Sequence, residues 1–136
     1  CSSDLTTRLL QNVETGYQGW TPLNQSSIQL IEGILTIDAT GTDPSVAIPY
    51  QVQHGTAIAI KLEISSPRDT QLELFYQTKE DTHYSANRRI TKAIQTGDNT
   101  VVLDLSEYEI AGQLRFDPGS GPGEYAIKSF EIIALP

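Results

Sequence analysis

Residues 56–64, TAIAIKLEI, alternate without a break: Ile58, Ile60, Leu62 and Ile64 share one parity, and Ala57, Ala59, Lys61 and Glu63 share the other. Successive side chains of a strand point to opposite faces, so this run describes a half-buried strand and does not fit the 3.6-residue period of a helix. The period recurs in ILTID (Leu35, Ile37), SVAIPY (Val46, Ile48, Tyr50), QLELFYQ (Leu72, Leu74, Tyr76), TVVLDL (Val101, Leu103, Leu105), QLRFD (Leu114, Phe116) and EYAIKSFEII. In the last of these the apolar phase slips between Ile127 and Phe130, which predicts a β-bulge near Lys128 and Ser129.

Turn-forming residues separate the runs: Glu32-Gly33, Gly41 to Pro44, His54-Gly55, Ser65 to Asp69 and Gly97 to Asn99. Short strands at this spacing, with no helical crossover between them, predict an all-β fold, an antiparallel β-sandwich with seven to nine strands. A chain of 136 residues is enough for one such core. Leu5, Leu9, Leu10 and Val13 follow Ser3 and Asp4 at helical spacing, so residues 1–16 are expected to form a short amphipathic helix or a loosely packed tether, and residues 17–136 the sandwich. RFDPGSGPGEY, residues 115–125, is expected to be a hairpin connection. Arg115 points out of its strand there, placed with Asp117 so that the two brace each other or a neighbouring loop.

Seventeen acidic against nine basic residues give a net charge of −8. Phosphate backbones and anionic lipid are gathered by clustered Lys and Arg, so neither nucleic acid nor direct membrane binding is expected. No apolar run approaches the roughly 20 residues of a membrane-spanning helix. Cys1 is the only cysteine, so no intramolecular disulfide can form. The opening CSSD resembles the start of a mature bacterial lipoprotein, in which Cys1 carries the lipid. On that reading the domain is extracytoplasmic, in the periplasm or at the cell surface, and touches the membrane only through the lipid; a chance chain boundary is the other reading.

No metalloprotease, P-loop or nucleophile-elbow spacing is present, and no catalytic residue is expected. The densest functional stretch is FYQTKEDTHYSANRRI, residues 75–90, which joins a strand ending in Phe75 and Tyr76 to a loop holding Lys79, Asp81, His83, Tyr84, Asn87, Arg88 and Arg89. Such types suit a saccharide: an aromatic face stacks on the apolar C–H side of a pyranose, while carboxamide, guanidinium and carboxylate groups pair with hydroxyls. A solvated hairpin is the plainer alternative. His83, Tyr84 and Arg88 are also types a polysaccharide lyase uses, and paired carboxylates would serve a hydrolase. Trp20, the sole Trp, reads either as a second stacking surface or as a plug closing one end of the core. Asp43 and Asp117, with Asp38 as a third, lie in or next to turns. They are the hard oxygen donors a structural calcium ion would use.

Three stretches together carry a resemblance: the Gly19-Trp20 pair, LTIDATGTDPSVAIPY (35–50), and LELFYQTKEDTHYS followed by LRFDPGSGPGEYAIKSFEI. In this order they resemble the jelly-roll, galactose-binding-like modules, carbohydrate-binding modules among them, of bacterial extracytoplasmic proteins. The resemblance covers residues 17–136. It implies a non-catalytic domain of two antiparallel sheets that takes a saccharide or polysaccharide in end loops or along a concave sheet face. With one Trp and no broad aromatic platform, soluble chains or chain ends fit better than a crystalline polysaccharide. The alternative partner is another protein, the sandwich then being a structural part of an envelope complex.

Overall fold

The computed structural model describes residues 8–12, 20–53, 55, 57–79, 88–108 and 110–134. These form eleven strands and no helix: β1 (Arg8–Asn12), β2 (Thr21–Asn24), β3 (Ser26–Ile31), β4 (Ile34–Ala39), β5 (Ser45–Val52), β6 (Ile58–Ser66), β7 (Thr70–Tyr76), β8 (Arg89–Ile94), β9 (Gly97–Asp104), β10 (Gly112–Asp117) and β11 (Gly123–Ala134). One sheet runs β3-β4-β11-β6-β9 with β1 beside β11, and the other runs β2-β5-β10-β7-β8. Neighbouring strands pair antiparallel throughout. This is the sandwich that the period-two runs require. The strand count exceeds seven to nine because β1, β2, β3 and β8 lack an unbroken apolar alternation.

The core lies between the sheets. Ile58, Ile60, Leu62 and Ile64 of β6, with Phe130 and Ile132 of the neighbouring β11, face Leu72 and Leu74 of β7 and Leu114 and Phe116 of β10 across it, all essentially without solvent contact. Each such side chain contributes roughly 1.5–3 kcal/mol of burial free energy. The expected bulge is present: Ile127 pairs with Ile64 but Ser129 with Glu63, leaving Lys128 as the inserted residue. That insertion lets Tyr125 and Ile127 before it, and Phe130 and Ile132 after it, all reach the core.

Two expectations are corrected. Where a helix was one reading of residues 1–16, Arg8–Asn12 is a strand on β11, with Arg8 opposite Ala134 and Asn12 opposite Glu131. The unpaired stretch of β11 beyond β4 offers backbone donors and acceptors, and pairing there satisfies more of them than an isolated helical turn can. The 118–122 segment is not a hairpin either, since β10 and β11 belong to different sheets. It arches over one end of the sandwich with Tyr125 beneath it, the phenol donating to the Gly121 carbonyl at 2.8 Å. A Cβ on Gly119 would run into that phenol, so the arch tolerates only glycine there. Ser120 ties it to β7 through Thr70, N–H to Oγ1 at 3.0 Å.

Candidate functional site

Among consecutive strands, only β3–β4 and β7–β8 pair directly within a sheet. β7 and β8 are the outermost pair of the five-stranded sheet, with β8 at its edge. Register sets what that sheet's outer face displays. Thr21 pairs with Ala47, Ala47 with Arg115, Arg115 with Phe75, and Phe75 with Arg89, a row across all five strands. In the neighbouring row Asp117 pairs with Glu73 and Glu73 with Thr91. Leu72, Leu74, Leu114 and Phe116, of opposite parity, fill the core beneath.

The rows lock together through charge. Arg115 donates from Nε and Nη2 to the two carboxylate oxygens of Asp117, both at 2.9 Å, a bidentate fork that holds the guanidinium plane. The same guanidinium sits 4.3 Å from the centre of the Phe75 ring. Arg89 donates to Glu73 Oε2 at 2.6 Å. Asp43, from the β4–β5 connection, approaches Arg115 Nη2 at 3.9 Å. The Asp117 side chain is only 3% exposed, and burial pushes its carboxyl above the ordinary range against the pull of Arg115. The Arg115 guanidinium is in turn held more firmly protonated by its hydrogen bonds to Asp117.

Lys79 is exposed just beyond β7, and the Arg88 carbonyl accepts the Tyr76 N–H at 3.0 Å, so the two ends of the 79–88 loop stand at one end of the five-stranded sheet. Asp81, His83, Tyr84 and Asn87 lie outside the described residues, as does Cys1. At the same end Tyr76 points inward and meets Tyr108, ring centres 5.5 Å apart. Burial pushes the Tyr76 phenol up, an effect that Tyr108 reinforces and Arg88 opposes. Tyr108 keeps 41% of its surface exposed.

Trp20 is not a stacking surface. It is 5% exposed and packs edge-on against Phe130 at 5.1 Å, so neither ring face is offered to a ligand. Asp43 and Asp117, the candidates for calcium, both stand beside Arg115. Both Asp117 oxygens are engaged by Arg115, and Asp43 Oδ1 lies 3.9 Å from the same guanidinium. Among the described residues no group of three or more His, Cys, Asp or Glu side chains converges on a metal position. Sequence reasoning passed over Glu73 and Tyr108; it held Phe75 and Arg89 within the 75–90 stretch, but not as neighbours of Arg115. Arg115 was seen to face outward, but which residues stand opposite it is a matter of register between distant strands.

The sandwich is similar to several solved structures. One is a mutant of a family 29 carbohydrate-binding module, with a TM-score of 0.61 and 12% identity over 95% of this chain and 90% of that one. Another is a low-affinity xylan-binding module, CBM86, from Roseburia intestinalis, with a TM-score of 0.62 and 9% identity over 96% of both chains. A third is a CBM4, with a TM-score of 0.59 and 12% identity over 90% of this chain and 99% of that one. No protein-family model and no curated protein matches the sequence. The chain thus has the jelly-roll sandwich fold found in carbohydrate-binding modules. Identities this low establish the fold, and function is argued from the residues.

Proposed function

We propose that this domain binds saccharide chains without transforming them, on the outer face of the five-stranded sheet and the adjoining 79–88 loop. The observation that carries the reading is the Arg115 fork: a guanidinium fixed by Asp117 over Phe75 in the middle of a sheet face. Groups locked in place before the ligand arrives lose little freedom on binding, which matters for a hydrophilic ligand that exchanges water for protein hydrogen bonds. Arg89 and Glu73 extend the polar row toward the loop that holds Asp81, His83, Tyr84 and Asn87. Similar structures include family 29 variants, made to probe ligand recognition, in which an Arg and an Asp two positions further on were each replaced by Ala. Arg115 and Asp117 have that spacing.

Catalysis is disfavoured by the same geometry. A hydrolase needs one carboxyl free to donate a proton and another free to act as base or nucleophile, whereas Asp117 and Glu73 are each engaged by a guanidinium. A lipid on Cys1, and with it an extracytoplasmic setting, belongs to the same proposal. Incorporation of a labelled fatty acid, lost in Cys1→Ser, tests that part.

Titration calorimetry against soluble xylan and cello-oligosaccharides tests the site. Dissociation constants of roughly micromolar to millimolar are expected. Arg89→Ala, which removes an exposed ion pair without opening the core, is expected to weaken binding several-fold, and Tyr84→Ala to do the same if the loop contributes a stacking face. Absence of binding across the panel refutes the function; binding indifferent to both substitutions refutes the site.

A further inference from the structure

We infer that Asp43 and Arg115 together read a ligand hydroxyl and select neutral over acidic saccharides, and that a strained turn at Gln25 exists to hold Asp43 in place. The inference rests on the saccharide-binding reading above and adds the ligand class and a positioning residue.

Asp43 is held by its backbone and open at its side chain. Its N–H donates to Gln25 Oε1 at 2.8 Å, and its carbonyl accepts from Asn24 Nδ2 at 2.8 Å. The Gln25 carbonyl accepts the Thr40 N–H at 2.8 Å, tying down the start of the same connection. Gln25 does this from φ 44°, a left-handed conformation that side chains with a Cβ rarely adopt. Gly41 belongs to the clamp too, because a Cβ there would strike the Gln25 carboxamide. Asn24 and Gln25 thus hold the backbone of Asp43, and Thr40 and Gly41 hold Gln25, around one residue whose side chain remains 65% exposed. No core side chain depends on that carboxylate. Strain kept to aim an exposed group points to work done by the group.

The separation says what the pair would take. At 3.9 Å, Asp43 Oδ1 and Arg115 Nη2 are too far apart for a direct hydrogen bond. An oxygen placed about 2.8 Å from both would see them at about 90°, within the range a hydroxyl accepts. A hydroxyl both donates, here to Asp43, and accepts, here from Arg115. A uronate carboxylate or a sulfate only accepts, so at this position it would meet the open Asp43 carboxylate with no proton to offer it. Like charge brought together at an interface weakens the wrong partner strongly.

The test is calorimetry with xylan and cello-oligosaccharides against oligogalacturonate and oligoalginate of matched length, on the wild type, Asp43→Asn and Gln25→Gly. The wild type is expected to bind a neutral chain at least tenfold more tightly than either uronate. Asp43→Asn should lose about tenfold for the neutral chain and narrow the difference. Gln25→Gly relieves the backbone strain while releasing Asp43, so affinity should fall several-fold with the melting temperature moved by only a few degrees. Neutral binding untouched by Asp43→Asn, or uronate bound as tightly as the neutral chain, overturns the inference while leaving the binding function standing. A Gln25→Gly protein that melts far lower yet binds as before makes the clamp purely structural and also overturns it. Failure of the wild type to bind any chain overturns the function itself.

Discussion

Replacing Arg115 by Ala isolates the energetics at the centre of the outer face. The substitution removes two charge-assisted hydrogen bonds of 2.9 Å and a guanidinium 4.3 Å from the Phe75 ring. What it leaves behind matters more: the Asp117 carboxylate, with a side chain 3% exposed, has lost its bidentate partner. Stripping one partner from a buried pair costs about 3–5 kcal/mol. Arg115 itself is 23% exposed, so water can follow it out, and the low end, about 3 kcal/mol, is the expected loss at neutral pH. For a chain of this size that is a fall of roughly 10 °C in melting temperature.

The sign with pH is fixed by Asp117. Burial already pushes its carboxyl above 3.8, and Arg115 is the main opposing influence. Without Arg115 the carboxyl rises further. A raised carboxyl contributes stability that is fully present below the unfolded value and is lost as pH rises through the folded one. The deficit of Arg115→Ala should therefore shrink between pH 7 and pH 4. Adding Asp117→Asn to Arg115→Ala removes the stranded charge and should restore about 2 kcal/mol at pH 7. Urea titrations followed by the fluorescence of Trp20, which is packed against Phe130, measure all three proteins. A loss below about 1 kcal/mol, or a double variant no more stable than the single one, would refute the reasoning.

Other expectations concern the scaffold. Gly119→Ala drives a Cβ into the Tyr125 phenol and should cost about 2 kcal/mol by chemical denaturation, more than the ~1 kcal/mol for Tyr125→Phe, which only removes the bond to Gly121. Deleting Lys128 removes the bulge and leaves Ile127, Ser129 and Phe130 opposite Ile64, Glu63 and Leu62 in regular alternation, so Phe130 and Ile132 should stay in the core and the cooperative melt should be kept, whereas Lys128→Pro or a second inserted residue there should abolish it. Asp69, hydrogen-bonded by the Thr96 N–H and hydroxyl, Asp98, by Lys128, and Asp104, by Ser106, have carboxyls below the usual 3.8. Their stabilisation is present above that value and lost as pH falls through the folded values, so acid melts should steepen below about pH 4. Asp69→Asn should flatten that slope.

The strands that sequence made legible are those buried on one face along their whole length. In β6 every second residue is in the core, and the alternation needs no context to be read. The bulge in β11 was equally readable, because a phase slip inside one apolar run has no other economical cause. By contrast, β2 is exposed throughout, and β8 carries Lys92 on the parity of Ile90 and Ile94, as an edge strand tolerates. The site divides the same way. Arg115 and Asp117 share a face because they are two apart in one strand, so their mutual bracing could be foreseen. Phe75 and Arg89 join them only through pairings between β10, β7 and β8, and no local pattern encodes such a register. Trp20 was ambiguous because a single ring at the start of a sandwich serves equally as plug or platform, until Phe130 takes its edge.

The pairing of Arg8 with Ala134 brings the two ends of the described chain to one pole of the six-stranded sheet. Tension transmitted through flanking segments at these points would enter and leave the domain there, opening the β1–β11 ladder one rung at a time rather than shearing all its bonds at once. The five-stranded sheet lies off that line of force. A pull at both points would peel a peripheral ribbon at low force and leave the opposite sheet undisturbed.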